Sequence, residues 1–234
     1  MAPRTEALAK TIDQTLLDAG ASKQEVESLC RQAHELHLAS VCVLPAHVAL
    51  AAEELGGSDV KVCAVVGFPA GRESAPTKIA EAERALAEGA GELEFVMNVE
   101  ALKRGDFGLV RDELVSFARC IRMKTANGGR GALVLKAILS TGQLDDKLKQ
   151  LACRIIERAE IDFAQTSTGH DDAPATVHDV ELLREALSES VGVKACGGFQ
   201  TIDDVQAMVN AGAGRIGSEI AVQLLGPSAA LARA

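Results

Sequence analysis

Ile161-Asp162-Phe163-Ala164-Gln165-Thr166-Ser167-Thr168-Gly169-His170 reads as a short apolar strand that runs into a polar turn carrying one glycine. In α/β proteins such a junction is a place for chemistry, because hydroxyls and backbone N–H groups gather at the C-terminal end of a strand. The central side chain, Gln165, is a carboxamide where a reactive group is expected.

Outward from this stretch, helix and strand signals alternate along the chain, a pattern that predicts a parallel sheet with crossover helices. Towards the N-terminus, residues 144–159 read as a helix and 132–139 as a strand with Lys136 in mid-run. Residues 106–126 read as a long helix with Val110, Leu114, Phe117 and Ile121 facing inward, closed by Gly128-Gly129. Earlier still come a strand at 92–98, a helix at 77–88 with Ile79, Ala82 and Leu86 on one face, and strands at 60–66 and 40–44. Ser22 and Glu25 form a capping-box pattern opening a helix to about Leu38, and Ile12-Asp13-Gln14-Thr15-Leu16-Leu17 is a first short apolar segment. Towards the C-terminus, Thr176 with Asp179 caps a helix to Leu187. A strand at 192–196 ends in Gly197-Gly198, Thr201 caps the next helix, Arg215-Ile216-Gly217 is a last short strand, and 218–225 a last helix. Seven strands plus the Ile12 segment make eight βα units, which predicts a single (β/α)8 TIM barrel over residues 1–234; the alternative is an open doubly wound sheet.

Of the 234 residues 47% are hydrophobic, enough for a full core, while aromatics are 3% with no Trp or Tyr, so that core is aliphatic and alanine-rich. A net charge of −9 offers no basic surface for nucleic acid. No apolar run approaches the ~18 residues of a membrane span, and the charged first ten residues do not read as a signal peptide, so a cytoplasmic protein is expected. The six cysteines lack a CxxC pair and metal-ligand spacing and are expected to be buried free thiols.

Many of these segments resemble one family in order and spacing. They include Val41-Cys42-Val43-Leu44-Pro45, Val66-Gly67-Phe68-Pro69-Ala70-Gly71, Thr77-Lys78, Leu135-Lys136-Ala137-Ile138-Leu139, 162–169, Val193-Lys194-Ala195-Cys196-Gly197-Gly198 and Arg215-Ile216-Gly217. They are similar to the deoxyribose-phosphate aldolases, class I (β/α)8 aldolases. The resemblance implies an enzyme that joins acetaldehyde to glyceraldehyde 3-phosphate or reverses that reaction. It also implies a small-molecule substrate; no cofactor or metal is expected, and barrels of the family often pair, which leaves a homodimer open. In such enzymes a lysine on the strand that here holds Gln165 forms a Schiff base. A second lysine, matched by Lys194, lowers its pKa, and an aspartate, matched by Glu94, assists with a bound water. Lys136 also matches a family lysine, and Asp13 lies where the family keeps a polar cluster with Thr166.

A Schiff base requires a neutral amine, and the carboxamide of Gln165 has none to offer. Three explanations stay open: a relocated nucleophile, a different reaction, or no catalysis. A fourth is an ordinary family enzyme into which Gln165 has been introduced. Burial and mutual repulsion would lower the pKa of Lys136 and Lys194 into the useful range, making Lys194, expected in the barrel mouth, a candidate amine or enolate-stabilising ammonium. Glu94 is a candidate acid or base, or an ion-pair partner for Lys136; Asp13 is a candidate orienting residue. Thr166, Ser167, Thr168, Gly169 and His170 are candidate ligand contacts, as is Cys42, which also reads as core. Gly197, Gly198, Gly217 and Ser218 offer an anion cradle, but Gln200 and Glu219 replace residues expected beside a phosphate. Glu219 would repel a phosphate, so the expected ligand lacks one and carries a neutral or cationic group instead.

Overall fold

Alternation along each strand divides its side chains between two environments, and this division builds the molecule. In the computed structural model, which describes residues 7–126, 133–169 and 173–225, eight strands form in sequence order. They are β1 (Ile12–Leu16), β2 (Ser40–Val43), β3 (Lys61–Val66), β4 (Glu92–Val96), β5 (Val134–Ile138), β6 (Phe163–Gln165), β7 (Gly192–Cys196) and β8 (Arg215–Ser218). Each is parallel to the next, and β8 returns to β1 through Ile12↔Ile216, Asp13↔Gly217 and Gln14↔Ser218, closing a barrel. The open-sheet alternative is thereby excluded.

One set of strand residues, including Ile12, Val41, Ala64, Leu93, Phe95, Leu135, Ala137, Ala164, Val193 and Ile216, packs outward in a large aliphatic core. The complementary set, including Asp13, Cys42, Cys63, Glu94, Lys136, Gln165 and Lys194, is buried inside the barrel, as closure of a sheet whose side chains alternate requires.

The core is sealed by helices α1 (Lys23–Glu35), α2 (Val48–Glu54), α3 (Ala75–Ala87), α4 (Val99–Lys103), α5 (Phe107–Ala126), α6 (Asp146–Arg158), α7 (Val177–Ala186), α8 (Ile202–Asn210) and α9 (Ala221–Leu225). The capping box of Ser22 and Glu25 starts α1, Thr176 accepts the Asp179 N–H at the start of α7, and Thr201 with Asp204 boxes the start of α8. The inward face expected of α5 holds: Val110, Leu114, Phe117 and Ile121 are wholly buried. Two short helices, α2 and α4, were not expected, and α9 starts three residues later than the sequence suggested. Gly128-Gly129 and His170 lie outside the described residues. No described helix is long and apolar enough to cross a membrane.

Candidate active site

Three carboxylates and three cations meet inside the barrel. Glu94 Oε1 accepts from Lys194 Nζ at 2.5 Å and from Lys136 Nζ at 3.2 Å. Asp13 Oδ2 lies 2.8 Å from Lys136 Nζ and 2.9 Å from Lys194 Nζ, while its Oδ1 accepts from Ser40 Oγ at 2.7 Å and from the Arg215 guanidinium. Glu92 closes the set, 2.7 Å from Lys136 Nζ and 2.9 Å from Arg215 Nη2. Both lysines and Asp13 have no solvent exposure, and Arg215 keeps only 11%. The formal charges of these six groups cancel, which is how so many ions stay buried: unpaired, each would cost several kcal/mol of desolvation.

This pairing reverses one expectation. Burial disfavours the charged forms of Lys136 and Lys194, but the surrounding carboxylates outweigh it, and both ammonium groups are held above the ordinary lysine range. Conversely, burial opposes ionisation of Glu94, yet Lys194 and Lys136 overcome it and bring its pKa down to about 2. Asp13 is likewise lowered well below its ordinary value, against its burial, by Lys136, Lys194 and Arg215. In this arrangement the carboxylates favour the ammonium form of Lys194, and the ammonium groups favour the carboxylate form of Glu94. Asp13 orients the cations; the Thr166 hydroxyl expected beside it instead accepts the Cys196 N–H at 3.1 Å.

Gln165 sits on β6 in register with Lys194 on β7 and is 1% exposed. Its Nε2 donates to the Ser167 carbonyl at 2.9 Å, and its Oε1 has no hydrogen-bond partner among the described residues. Ser167 Oγ donates to the Cys196 carbonyl at 2.7 Å, so Thr166 and Ser167 fasten the loop to the end of β7 and do not reach the mouth. Cys42 packs with Cys63, Val65 and Leu17 beneath Leu44 and Phe68.

The mouth itself holds a cavity of about 270 Å³. Of the expected ligand contacts, Thr168, Gly169, Gly197, Gly198, Gly217, Ser218 and Glu219 line it. Gly197 and Gly198 take φ of +89° and +86°, a turn that a side chain would strain. Lys194, expected in the mouth, is wholly buried and does not line it; a Cβ on Gly217, which does, would come within 3.1 Å of Lys194 Cε and 2.6 Å of Cys196 Sγ. Glycine at 217 thus leaves room for the Lys194 side chain.

Sequence reasoning assigned no role to Glu92, Arg215 or Asp18, although the first two share strand parity with Glu94 and Gly217. It also saw no metal-ligand spacing, whereas the fold brings Cys42, Cys63 and Glu94 together with their donor atoms within 4.8 Å of one another. The Glu94 oxygen in that group already bridges two ammonium ions, and burial raises both thiols, so the donor set is a poor match for a metal.

Comparison with known proteins places this geometry in context. The model of the DeoC/LacD family aldolases matches residues 7–220. The deoxyribose-phosphate aldolase of Caldanaerobacter subterraneus subsp. tengcongensis is 42% identical over 218 residues, covering 93% of this chain and 92% of its own length. That of Thermoanaerobacter sp. (strain X514) is 43% identical over 218 residues, covering 93% and 95%. Among solved structures, the aldolase QR15 superposes with a TM-score of 0.87 at 32% identity, over 100% of this chain and 98% of the other. The deoxyribose phosphate aldolase from Aeropyrum pernix, described as a unique tetramer, gives 0.85 at 28%, over 99% and 100%.

Proposed function

Given that this chain belongs to the DeoC/LacD aldolase family, whose named relatives are carbon–carbon lyases, we propose that it performs aldol or retro-aldol chemistry on a small, non-phosphorylated carbonyl compound seated in the barrel mouth. The observation that carries the reading is the position of Lys194: its ammonium is held by Glu94 and Asp13, and its stem packs against Gly217, which lines the cavity. An ammonium held in place beside a carbonyl oxygen stabilises the enolate that forms when the neighbouring carbon–carbon bond breaks. Lys136 fixes Glu94, and Glu94 and Asp13 fix Lys194. Gln165 is buried and does not line the cavity, so no contact to substrate is assigned to its unpartnered Oε1. The electrostatic route needs no amine at position 165.

The test is a panel of short 3-hydroxyaldehydes, with 2-deoxyribose 5-phosphate as comparison, assayed for cleavage with and without borohydride. Cleavage without a lysine adduct is expected, falling by ~10²-fold or more in Lys194→Met. A borohydride-trapped adduct on Lys194 would replace the electrostatic role with a covalent one. Efficient cleavage of 2-deoxyribose 5-phosphate would overturn the non-phosphorylated assignment. A second reading, a ligand-binding barrel without turnover, is favoured by the complete burial of both ammonium groups, and binding with no cleavage across the panel would establish it. Pairing into a homodimer is part of the proposal and is read by light scattering, against 24.4 kDa for one chain.

A further inference from the structure

Two thiols stand side by side inside the barrel and take no part in the proposed chemistry. Cys42 on β2 and Cys63 on β3 are register partners on neighbouring parallel strands, and both are wholly buried. Their Sγ atoms and an oxygen of Glu94 all lie within 4.8 Å of one another. The Cys63 thiol donates to Glu94 Oε1 at 3.3 Å, and Lys136 Nζ donates to Cys63 Sγ at 3.8 Å. The other four cysteines are spread over α1, α5, α6 and β7, one to each element.

This placement meets what a disulfide requires. Register partners on adjacent strands are about 4.8 Å apart, inside the ~4.4–6.8 Å between Cα atoms that the bond spans. Side chains that point into a closed barrel also converge, which brings their ends nearer than on a flat sheet. Leu17 packs in the same cluster as both thiols and lines the mouth cavity, so one side chain separates the pair from the mouth. Turned from Glu94 to Cys42, the Cys63 S–H stabilises a Cys42 thiolate, as do the ammonium groups of Lys194 and Lys136. These oppose the burial that holds both thiols above their ordinary range, and they make Cys42 the attacking sulfur.

We infer that Cys42 and Cys63 are a site of reversible oxidation, joined to each other as a disulfide by a hydroperoxide such as hydrogen peroxide. The Cys42 thiolate attacks a peroxide oxygen and the O–O bond breaks. The departing hydroxide takes up the thiol proton as water, leaving a sulfenic acid at Cys42. The Cys63 sulfur then attacks the Cys42 sulfur, the S–O bond breaks, and the hydroxyl leaves with the Cys63 proton as a second water. The two thiols together lose two electrons, which the peroxide gains. Drawing two strand side chains together strains the bond, and strained disulfides are the readily reduced, regulatory kind. Oxidation also takes the S–H donor from Glu94 Oε1, which then keeps Lys136 and Lys194. The thiol state of β2 and β3 thus reaches the ion cluster directly, whatever reaction the mouth carries out.

The test is read by mass and does not depend on turnover. The full-length protein, fully reduced, is treated with hydrogen peroxide, its remaining thiols are alkylated, and its tryptic peptides are mapped; cleavage after Lys61 separates the two cysteines. The expected main product has lost two hydrogen atoms and carries the Cys42 peptide joined to the Cys63 peptide, and dithiothreitol returns both as free thiols. Cys42→Ala and Cys63→Ala are each expected to lose the cross-link. The unsubstituted protein decides by itself, so a variant that fails to fold leaves the test intact. Three results would overturn the assignment: both thiols still free once the half-buried Cys120 is oxidised, separate oxidation of Cys42 and Cys63 to sulfinic or sulfonic acids, or a main cross-link through any other cysteine.

Discussion

Position 165 is the point at which a single side chain decides what chemistry the barrel can do. Gln165 spends its Nε2 on the Ser167 carbonyl and leaves its Oε1 unpartnered, buried beside the register partner Lys194. A lysine placed there would find no free counter-ion, because Asp13, Glu92 and Glu94 are already matched by Lys136, Lys194 and Arg215. Burial and the neighbouring ammonium would both push its pKa below the ordinary lysine value, which is what a Schiff-base amine needs. Gln165→Lys is therefore expected to form a borohydride-trapped adduct with acetaldehyde at position 165, seen by peptide mass spectrometry as one added ethyl group. The unmodified protein is expected to show none. An adduct absent from the variant would mean that the interior ions rearrange to pair with the new lysine.

At the scale of elements, one buried side chain of α3 reaches two strand ends and a second helix at once. Lys78 Nζ donates to the carbonyls of Gly71 and Val96 at 2.8 and 2.9 Å and to Glu113 Oε1 at 2.9 Å, and it sits 4.4 Å from the centre of the Phe95 ring. It thereby joins α3 to the turn after β3, to the end of β4 and to α5. Lys78→Met is expected to cost about 3–5 kcal/mol in denaturant unfolding, since it strands the buried Glu113, and adding Glu113→Leu is expected to recover most of the loss. The long elements were legible in the sequence because their apolar periods run over many residues, as with Val110, Leu114, Phe117 and Ile121 on α5. The short ones were not. The helix Val48–Glu54 spans only two turns, too short for an apolar period to show, and Val99–Lys103 is little more than a turn capped by Asn98. The site was legible as a set of residue types and illegible as an electrostatic arrangement. Lys136 reads as a buried amine with a lowered pKa until the barrel brings Asp13, 123 residues away, to its ammonium, and only closure sets Arg215 against Asp13 across 202 residues. Local sequence carries no trace of those distances.

Over the whole molecule, the matched ions inside the barrel govern how stability follows pH. Glu94 titrates at about 2 in the folded protein against an ordinary 4.5, so its contribution is complete above 4.5 and is lost as pH falls through about 2. Asp13, also lowered, acts in the same direction. Lys136 and Lys194 are raised above 10.5, so their contribution is complete below that value and is lost only at still higher pH, as it rises through their folded-state values. Stability from these groups should be level from about 4.5 to 10.5, read from unfolding midpoints across that range. Glu94→Gln is expected to lower the plateau by about 3–5 kcal/mol and to flatten the acid limb. The same bookkeeping of charges has a consequence for how such barrels diversify. Since the ions close among themselves with Gln165 standing apart, the frame does not depend on whichever group occupies that position. A lineage carrying this frame can exchange its reactive centre by a single codon while the scaffold stays folded, so that new activities arise by swapping one part and not by rebuilding the machine.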